Sequence, residues 1–291
     1  MKMAYLLQVH KERDQIIHLV ELLNPNINPI LIHVDRKSDE LYRSLREYFS
    51  NRSGVWIVEN RIDVHWSGFS QVEATLSMMK TLRSEKISYD YIHLLSGEDM
   101  PIKSDKYIKN YLLECDRKIY LDVEPIGNLS WRLDIYNFFT ELTYNRAYPI
   151  RIFDKISRMM QGGWIKRTSP NGWKYYKGSQ WFSFPCETVS YILDFIEENR
   201  NWLYHRFRWT ACPDEHFFQI LLMNSHFSDK VEGNNLRFIR WGDTSNSPSI
   251  LLEKDESEIF SSSALFARKF DWRKSRKLIN KITRKLKNEE E

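Results

Sequence analysis

The chain has few cysteines, no long apolar run and almost no net charge. Its three cysteines, Cys115, Cys186 and Cys212, are odd in number and widely spaced, which argues against a disulfide framework and indicates a reducing compartment. They form no CxxC pair or Cys/His cluster of the kind that binds structural zinc. No segment is apolar over the roughly 18 residues that a membrane helix needs. We therefore expect a cytoplasmic protein, with residues 4–9 as a buried first strand rather than a targeting segment.

The charge balance excludes another class of partner. The chain carries 43 basic and 39 acidic residues, a net charge of +4, which is too balanced to indicate nucleic-acid binding. Aromatic residues make up 14% of the chain. Their rings either pack on the C–H faces of sugars or fill the core, and composition alone leaves both interpretations open.

Several nucleotide and nucleophile motifs are also missing. The sequence has no GxGxxG after the first strand, no P-loop and no GxSxG elbow. A nicotinamide site, a P-loop nucleotide site and a serine-hydrolase site are therefore not expected. A pair of carboxylates like that of the retaining glycosidases stays open, because its spacing is set in three dimensions.

Strand and helix patterns alternate over the first hundred residues. Strands are predicted at 4–9, 29–34, 55–58 and 91–95, and helices at 10–23, 38–48 and 68–82. Such alternation predicts an α/β fold with a mainly parallel sheet and right-handed crossovers. Ligands of these sheets bind beyond the carboxyl ends of the strands.

The remainder of the chain is less regular. Residues 124–177 are aromatic and irregular, broken at Gly162–Gly163, and we interpret them as loops and short helices that form an acceptor platform or lid. Further elements are predicted at 180–184 (strand), 187–198 (helix), 214–223 (helix) and 236–241 (strand). Because no repeat or linker is visible, we predict a single composite domain over 1–271, with halves 1–123 and 124–271.

The C-terminal segment 272–291 differs from the domain in composition. Its basic residues alternate with four apolar residues that share one helical face, Leu278, Ile279, Ile282 and Leu286. Two interpretations stay open. The helix could rest on an anionic membrane surface, here the inner face of the cytoplasmic membrane, or it could dock its apolar stripe on the domain.

The segment PDEHFFQ at 213–219 places Asp214, Glu215 and His216 at the start of an apolar helical run. Proline and acids near a first turn are typical of ordinary helix capping. A carboxylate in this position could also take a proton from a sugar hydroxyl. The segment alone leaves both interpretations open.

Acidic residues follow two predicted strands. Asp35 could accept a hydrogen bond from a ribose or base, or it could be a turn residue. In the turn at 96–99, Gly97 allows a positive φ or a close backbone approach to a ligand, and Pro101 is expected to stop the strand. Glu98 and Asp99 are adjacent, so in extended chain they point to opposite sides and do not form a metal clamp.

Without a divalent cation, a leaving nucleoside diphosphate needs fixed positive charge. Arg268 and Lys269, between Phe266 and Phe270, could supply that charge to a cleft. The alternative is a pair of ordinary surface cations.

Eight short segments carry a family resemblance. They are HVDRKS (33–38), WSGFSQVEA (66–74), HLLSGEDMPI (93–102), GSQWFS (178–183), PDEHFFQ (213–219), NNLR (234–237), SP (247–248) and FARKFD (266–271). In these segments and in their order, the chain resembles a bacterial member of the core-2/I-branching β-1,6-N-acetylglucosaminyltransferase family, which also includes the peptide xylosyltransferases.

The resemblance implies a GT-A-like fold and an inverting transfer that needs no metal and no other cofactor. The donor would be a UDP-sugar, first of all UDP-GlcNAc, and the acceptor a glycan or lipid-linked glycan of bacterial surface polysaccharide synthesis. Glu215 would be the general base, with Lys269 and Arg268 on the diphosphate and Asp35 near the uridine. The other expected donor or acceptor contacts are Gly97, Glu98, Asp99, Gly178, Ser179, Gln180, Trp181 and Asp214.

One departure from the family pattern concerns the diphosphate. Where family members use an arginine upstream of the lysine, this chain has Asn246-Ser247-Pro248. Arg240, Lys254 or Arg268 could replace it. Two other classes of function stay open: a UDP-sugar hydrolase or non-catalytic UDP-sugar or glycan-binding module, and a membrane-surface scaffold that depends on the basic tail.

Overall fold

The computed structural model describes residues 1–142, 144, 147–161, 164, 165, 167, 172–242 and 247–290. The strands are β1 (Met3–Val9), β2 (Ile30–Val34), β3 (Val55–Ile57), β4 (Tyr91–Ser96), β5 (Asp99–Pro101), β6 (Tyr120–Leu121), β7 (Glu124–Pro125), β8 (Tyr176–Lys177), β9 (Phe182–Pro185), β10 (Arg237–Ile239) and β11 (Phe266–Arg268). The α-helices are α1 (Arg13–Leu22), α2 (Asp39–Tyr48), α3 (Ser70–Ser84), α4 (Asp105–Glu114), α5 (Trp131–Asp134), α6 (Tyr148–Gln161), α7 (Cys186–Phe207), α8 (Phe217–Met223), α9 (Glu256–Ser261) and α10 (Arg276–Glu290).

The central sheet has the strand order β3-β2-β1-β4-β9-β6. β1 pairs in parallel with both β2 and β4, and β9 runs antiparallel to its two neighbours. This confirms the predicted α/β class with a mainly parallel, Rossmann-type sheet flanked by helices, the arrangement expected of a GT-A-like fold. β2 and β3 follow on one side of β1, and β4 lies on its other side, so the strand order reverses at β1. Sheets of this kind bind ligands at the carboxyl ends of the strands beside such a switch point.

Alternating residues of the strands build two apolar layers. Leu6 faces a layer that includes residues of α3, α7 and α8, whereas Leu7 faces a layer that includes residues of α1, α2 and α4. Successive side chains of a strand point to opposite faces, and both faces are covered here. The nearly uninterrupted apolar sequences of β1, β2 and β4 follow from this double burial.

Some predicted boundaries were wrong. The predicted strand at 236–241 is limited to β10, and the predicted helix at 187–198 continues to the end of α7. Pro101 does stop a strand, as predicted: it is the last residue of β5, where it lies opposite Phe266 of β11. β5 is an edge strand of the small sheet β10-β11-β5, and an edge tolerates a residue without an N–H donor.

The C-terminal helix α10 docks on the domain. Its apolar residues Leu278, Ile279, Ile282 and Leu286 are buried in a third cluster with Met100, Ile102 and Phe270. Lys281 forms ion pairs with Glu253 and Glu256 at 3.1 and 2.6 Å. Of the two interpretations of the tail, the structure therefore shows the docked stripe. Within the described ranges, no helix is long and apolar enough to cross a membrane.

Candidate active site

A cavity of about 910 Å³ opens at the carboxyl ends of β1, β2 and β4. This is the edge at which the strand pattern predicted a ligand site. The cavity is lined by ten of the predicted site residues, Asp35, Glu98, Gly178, Ser179, Gln180, Trp181, Asp214, Glu215, Arg268 and Lys269. Segments separated by more than two hundred residues of sequence therefore meet at one surface.

Two predicted contacts, Gly97 and Asp99, do not line the cavity. Gly97 lacks the expected positive φ. A Cβ atom there would lie 3.1 Å from Cγ1 of Ile16 and 3.3 Å from Cγ1 of Val9, so the close approach is to α1 and β1. Asp99 is buried and accepts a hydrogen bond from the Ser96 N–H at 2.6 Å. Both residues therefore lie behind the lining of the cavity and contact the residues that form it or the strands that carry it.

Glu98 forms ion pairs with two lysines near the carboxyl ends of the strands. Its carboxylate is 2.8 Å from the Lys11 Nζ and 3.0 Å from the Lys269 Nζ. Burial alone would raise the pKa of Glu98, but the two lysines outweigh that effect and lower it. As predicted, Glu98 and Asp99 point to different surroundings, the first into the cavity and the second into the protein. Glu98 pairs with two lysines, whereas Oδ1 of Asp99 is approached by Nε of Arg268 at 3.5 Å.

Arg268 is a basic residue of this cavity with unused hydrogen-bonding capacity toward the described residues. Its guanidinium stacks 4.2 Å from the centre of the Trp181 ring, and its Nε lies 3.5 Å from Oδ1 of Asp99. Nε and Nη1 are buried without a hydrogen-bond partner among the described residues. Buried donors of this kind favour an anionic ligand, because an unpaired buried N–H is costly.

The other candidates for the missing arginine do not line the cavity. Arg240 forms ion pairs with Asp255 and Glu258 instead, and Lys254 lies in the short 3-10 helix Glu253–Asp255. Asn246, at the family's arginine position, is outside the described residues. Of the three proposed replacements, Arg268 is therefore the one that lines the cavity.

Glu215 lies in a small charged network. Its Oε2 accepts a hydrogen bond from the Arg132 Nη1 at 2.5 Å, and the same nitrogen is 3.5 Å from Nε2 of His216. The side chain of Glu215 is 40% exposed to solvent, whereas that of Arg132 is 18% exposed. Arg132 thus anchors one oxygen of a carboxylate that stays accessible from the cavity.

His216 supports this network as a neutral ring. Burial lowers its pKa to about 4, with nearby Arg132 acting in the same direction. Its Nδ1 is 2.9 Å from the carbonyl oxygen of Tyr176, so this nitrogen carries the proton. Nε2 is then free to accept from Arg132. A neutral imidazole positions the guanidinium without competing with it for Glu215.

The backbone around Glu215 is fixed by the GSQW segment. The Gly178 N–H donates to the Glu215 carbonyl at 2.9 Å, and the Gln219 Nε2 donates to the Ser179 carbonyl at 2.8 Å. A Cβ atom at Gly178 would lie 1.8 Å from the carbonyl oxygen of Asp122. Only glycine allows this close approach, which explains its place in the segment.

Pro213 and the two acids form the first turn of a 3-10 helix, Pro213–Glu215, directly before α8, as the capping interpretation expected. α8 itself begins after His216, whose side chain makes no capping hydrogen bond, and Glu215 is paired with Arg132. Burial and the neighbouring Glu215 raise the pKa of Asp214 to about 7. Its Oδ1 is buried without a hydrogen-bond partner among the residues that the structure describes. The cavity therefore holds one ion-paired and one largely desolvated carboxyl group.

Asp35 fits both of its interpretations. Its Oδ1 accepts from the Lys37 N–H at 2.9 Å in a local turn and lies 3.1 Å from the Lys37 Nζ. The residue also lines the cavity. Its expected contact with a nucleoside stays a prediction.

Three lining or supporting residues were missed in the sequence. Gln8 is the penultimate residue of β1 at the switch point and accepts from the Gln180 Nε2 at 3.0 Å, so the strand-end rule that identified Asp35 could also have found it. Asp122 follows the two-residue strand β6 and accepts from Asn235 at 2.7 Å. No local pattern indicated Arg132, because its partner Glu215 is 83 residues away.

The chain is similar in sequence to known glycosyltransferases. Xylosyltransferase oxt of Drosophila pseudoobscura pseudoobscura is 25% identical over 243 residues, covering 82% of this chain and 26% of the relative. The probable human β-1,3-galactosyl-O-glycosyl-glycoprotein β-1,6-N-acetylglucosaminyltransferase 7 is 30% identical over 111 residues, covering 38% of this chain and 26% of the relative. These matches span about a quarter of the length of each relative.

Among solved structures, that of apo mouse xyloside xylosyltransferase 1 matches 92% of this chain and 97% of its own chain, at 12% identity and a TM-score of 0.37. A similarity of that size carries no functional argument. The family model for the Core-2/I-Branching enzyme matches residues 3–276. The chain therefore belongs to the Core-2/I-branching enzyme family.

Proposed function

We propose that this protein is an inverting, metal-independent glycosyltransferase that moves a sugar from a UDP-sugar to a glycan hydroxyl. The observation that carries the proposal is one cavity lined both by an accessible carboxylate, Glu215, and by the cations Arg268 and Lys269. The family and the names of its relatives, xylosyl- and N-acetylglucosaminyltransferases, support transfer from a nucleotide sugar.

Glu215 acts as general base. It takes the proton of the acceptor hydroxyl while the hydroxyl oxygen forms a bond to C1 of the donor sugar, from the face opposite UDP. The bond from C1 to the diphosphate oxygen breaks in the same step, so the anomeric centre inverts and one carboxylate suffices. Arg132 orients the carboxylate through Oε2 and leaves its remaining lone pairs for the acceptor.

Arg268 and Lys269 stabilise the leaving UDP. Negative charge grows on the diphosphate as the bond to C1 breaks, and preorganised donors compensate it without reorganisation. Lys269 is held in place by Glu98 at 3.0 Å, and Arg268 by the ring of Trp181. These fixed charges take the part that a divalent cation has in other nucleotide-sugar enzymes. Metal independence is thus part of the proposal.

The finer assignments also belong to this proposal. The donor is UDP-GlcNAc, with UDP-xylose as the competing choice from the relatives' names. The acceptor is a glycan or lipid-linked glycan in bacterial surface polysaccharide synthesis, on the cytoplasmic side of the membrane. Asp35 contacts the nucleoside, and Gly178, Ser179 and Gln180 line the sugar pocket.

Thermal unfolding with a panel of nucleotides and UDP-sugars, each with and without EDTA, tests the donor site. A ligand that binds only the folded state raises the melting temperature by mass action. We expect UDP and one UDP-sugar to stabilise the protein equally in EDTA and in buffer. No shift with any uridine nucleotide would refute the proposed donor, and stabilisation that EDTA removes would refute metal independence.

Release of UDP in the presence of candidate acceptors then tests transfer. We expect release that depends on the acceptor, with EDTA causing no loss of rate. Equal release with water alone would identify a hydrolase, and binding without release on any acceptor would identify a non-catalytic module.

A further inference from the structure

Helix α6 presents its apolar face to solvent. Phe153 is 62% exposed and Met160 is 75% exposed, and both are flanked by further exposed apolar side chains, Ile152, Ile156 and Met159. At a helical repeat of about 100° per residue these five side chains share one side of the helix. A helix of a globular domain normally turns this side toward the core, so its exposure calls for a partner.

The polar face of α6 is the one that packs on the domain. Gln161 is buried, donates to the Tyr136 carbonyl at 2.9 Å and accepts from the Tyr136 N–H at 2.8 Å. Arg158 pairs with Asp154 at 2.6 Å and lies 4.6 Å from the centre of the Trp131 ring. These contacts fix the rotation of the helix. These interactions therefore direct the apolar face of α6 outward, whereas the apolar face of α10 is buried against the domain.

The border of the apolar face has the residues of a membrane interface. Tyr148 and Trp164, the latter 90% exposed, flank it along the chain, and the exposed cations Arg151 and Lys155 lie on the adjoining side of the helix. An amphipathic helix with apolar and aromatic residues on one side and basic residues beside them lies in the headgroup region of bilayers. We propose that the apolar face of α6 binds the surface of an anionic lipid bilayer.

The position of α6 gives this binding a consequence for the substrate. A second cavity of about 770 Å³ is lined by Arg132, Arg151, Lys155 and Arg158 and shares Trp66 with the main cavity. Arg132 also contacts Glu215. A lipid-anchored acceptor with an anionic linkage would thus enter from the membrane along a basic path to the base. This consequence rests on the proposed function, whereas bilayer binding does not.

Flotation of the full chain with vesicles tests the proposal. We expect binding to vesicles of phosphatidylglycerol and phosphatidylcholine in equal amounts, and weak binding to phosphatidylcholine alone. The double variant F153Q/M160Q should bind at least about tenfold more weakly, because two apolar side chains no longer enter the interface. The matched control is Leu113→Gln on α4, which removes an apolar side chain that is also 62% exposed and should bind like wild type.

A charge pair of variants separates α6 from the C-terminal helix. R151Q/K155Q should reduce binding to the anionic vesicles, whereas K274Q/K277Q, which removes two exposed cations next to or on α10, should not. Unchanged melting temperatures identify variants that fold. Phe153 and Met160 line neither cavity, so UDP release on a soluble acceptor should be unaffected by F153Q/M160Q.

Three results would overturn the proposal. One is wild-type protein that stays with the soluble fraction for both vesicle types. Another is F153Q/M160Q floating as wild type does. The third is a dimer in light scattering that F153Q/M160Q abolishes without any vesicle binding by the wild type, which would assign the face to self-association. None of these results would bear on the donor site.

Discussion

The two walls of the cavity hold their carboxylates in different ways. In the strand wall, formed at the ends of β1, β2 and β4 together with residues 268 and 269, Glu98 is bound by two lysines. In the base wall, formed by Asp214 and Glu215 and supported by Arg132, Glu215 has a single arginine and Asp214 has an unpartnered oxygen within the described part of the chain. Under the proposed function, the first arrangement would fix positive charge for binding an anion, and the second would keep a carboxylate reactive.

The walls also differ in how they are built. The strand wall follows from regular strands, whose carboxyl ends meet at one edge of a sheet. The base wall is built from the 3-10 helix Pro213–Glu215 and the segment around Gly178, held by single hydrogen bonds. Changes to the base wall should therefore affect both chemistry and local structure, and changes to the strand wall mainly charge stabilisation.

The largest expected effect is on the base. Glu215→Gln should lower the turnover number by at least about a hundredfold and up to ~10⁴, because the amide accepts no proton from the acceptor. Steady-state UDP release measures it. The matched control is Glu124→Gln, a carboxylate that lines the same cavity and pairs with Lys177 at 2.6 Å, and it should cost only a few fold. Near-normal turnover of Glu215→Gln would remove Glu215 from the role of base.

The next largest expected effect tests the role of Lys269 in the strand wall. Lys269→Ala should lower turnover by about a hundredfold, the size seen when a preorganised donor to a developing charge is lost. Lys11→Ala is its control, because Lys11 also pairs with Glu98 but does not line the cavity. Equal losses in the two variants would mean that Glu98, rather than the diphosphate, is the partner that matters for Lys269.

The strand wall was largely predictable from sequence and the base wall only in part. Alternating strand and helix patterns gave the sheet and its ligand edge, and Asp35 and Glu98 were found because they follow strands. Glu215 was found through the family resemblance, since its local pattern was equally typical of capping. Arg132 and the close approach at Gly178 depend on contacts between distant segments, and no local pattern encodes such contacts.

The two amphipathic helices show the same limit. Residues 276–290 and 148–161 both combine basic residues with an apolar face, yet one face is buried and the other exposed. The periodicity of a helix gives the direction of its apolar face relative to its own axis. Whether that face meets the core or the solvent depends on the tertiary structure.

A structural prediction follows for the link between the walls. Gly178→Ala should reduce the free energy of unfolding by about 1–3 kcal/mol, because the added Cβ overlaps the Asp122 carbonyl and forces the backbone apart. Denaturant unfolding measures this. Gly233→Ala is the comparison: its Cβ meets no atom of the described residues within 4 Å, so only its positive φ is penalised, by about 1 kcal/mol. Equal costs for the two variants would argue against the steric account.

The smallest expected effect concerns Asp214 and has a defined pH window. Burial and Glu215 raise the pKa of Asp214 in the folded protein from its ordinary value of 3.8 to about 7. Between these two values the folded protein retains a proton that the unfolded chain has lost, so stability falls as pH rises through this window and is level above it. Asp214→Asn removes the cost of ionising a buried acid. The variant should gain at least about 1 kcal/mol relative to wild type between about pH 4 and pH 8.

Denaturant unfolding of both proteins across that range measures the gain. Asp194→Asn, which removes a largely exposed carboxylate paired with Arg83 at 2.8 Å, should leave the pH profile parallel to that of wild type. If Asp214→Asn were also parallel, Asp214 would be hydrated and ionised like a surface acid. The base wall would then not differ from the strand wall by holding a desolvated acid. A gain that grows across this window and stays level above it would instead place the desolvated acid beside the base.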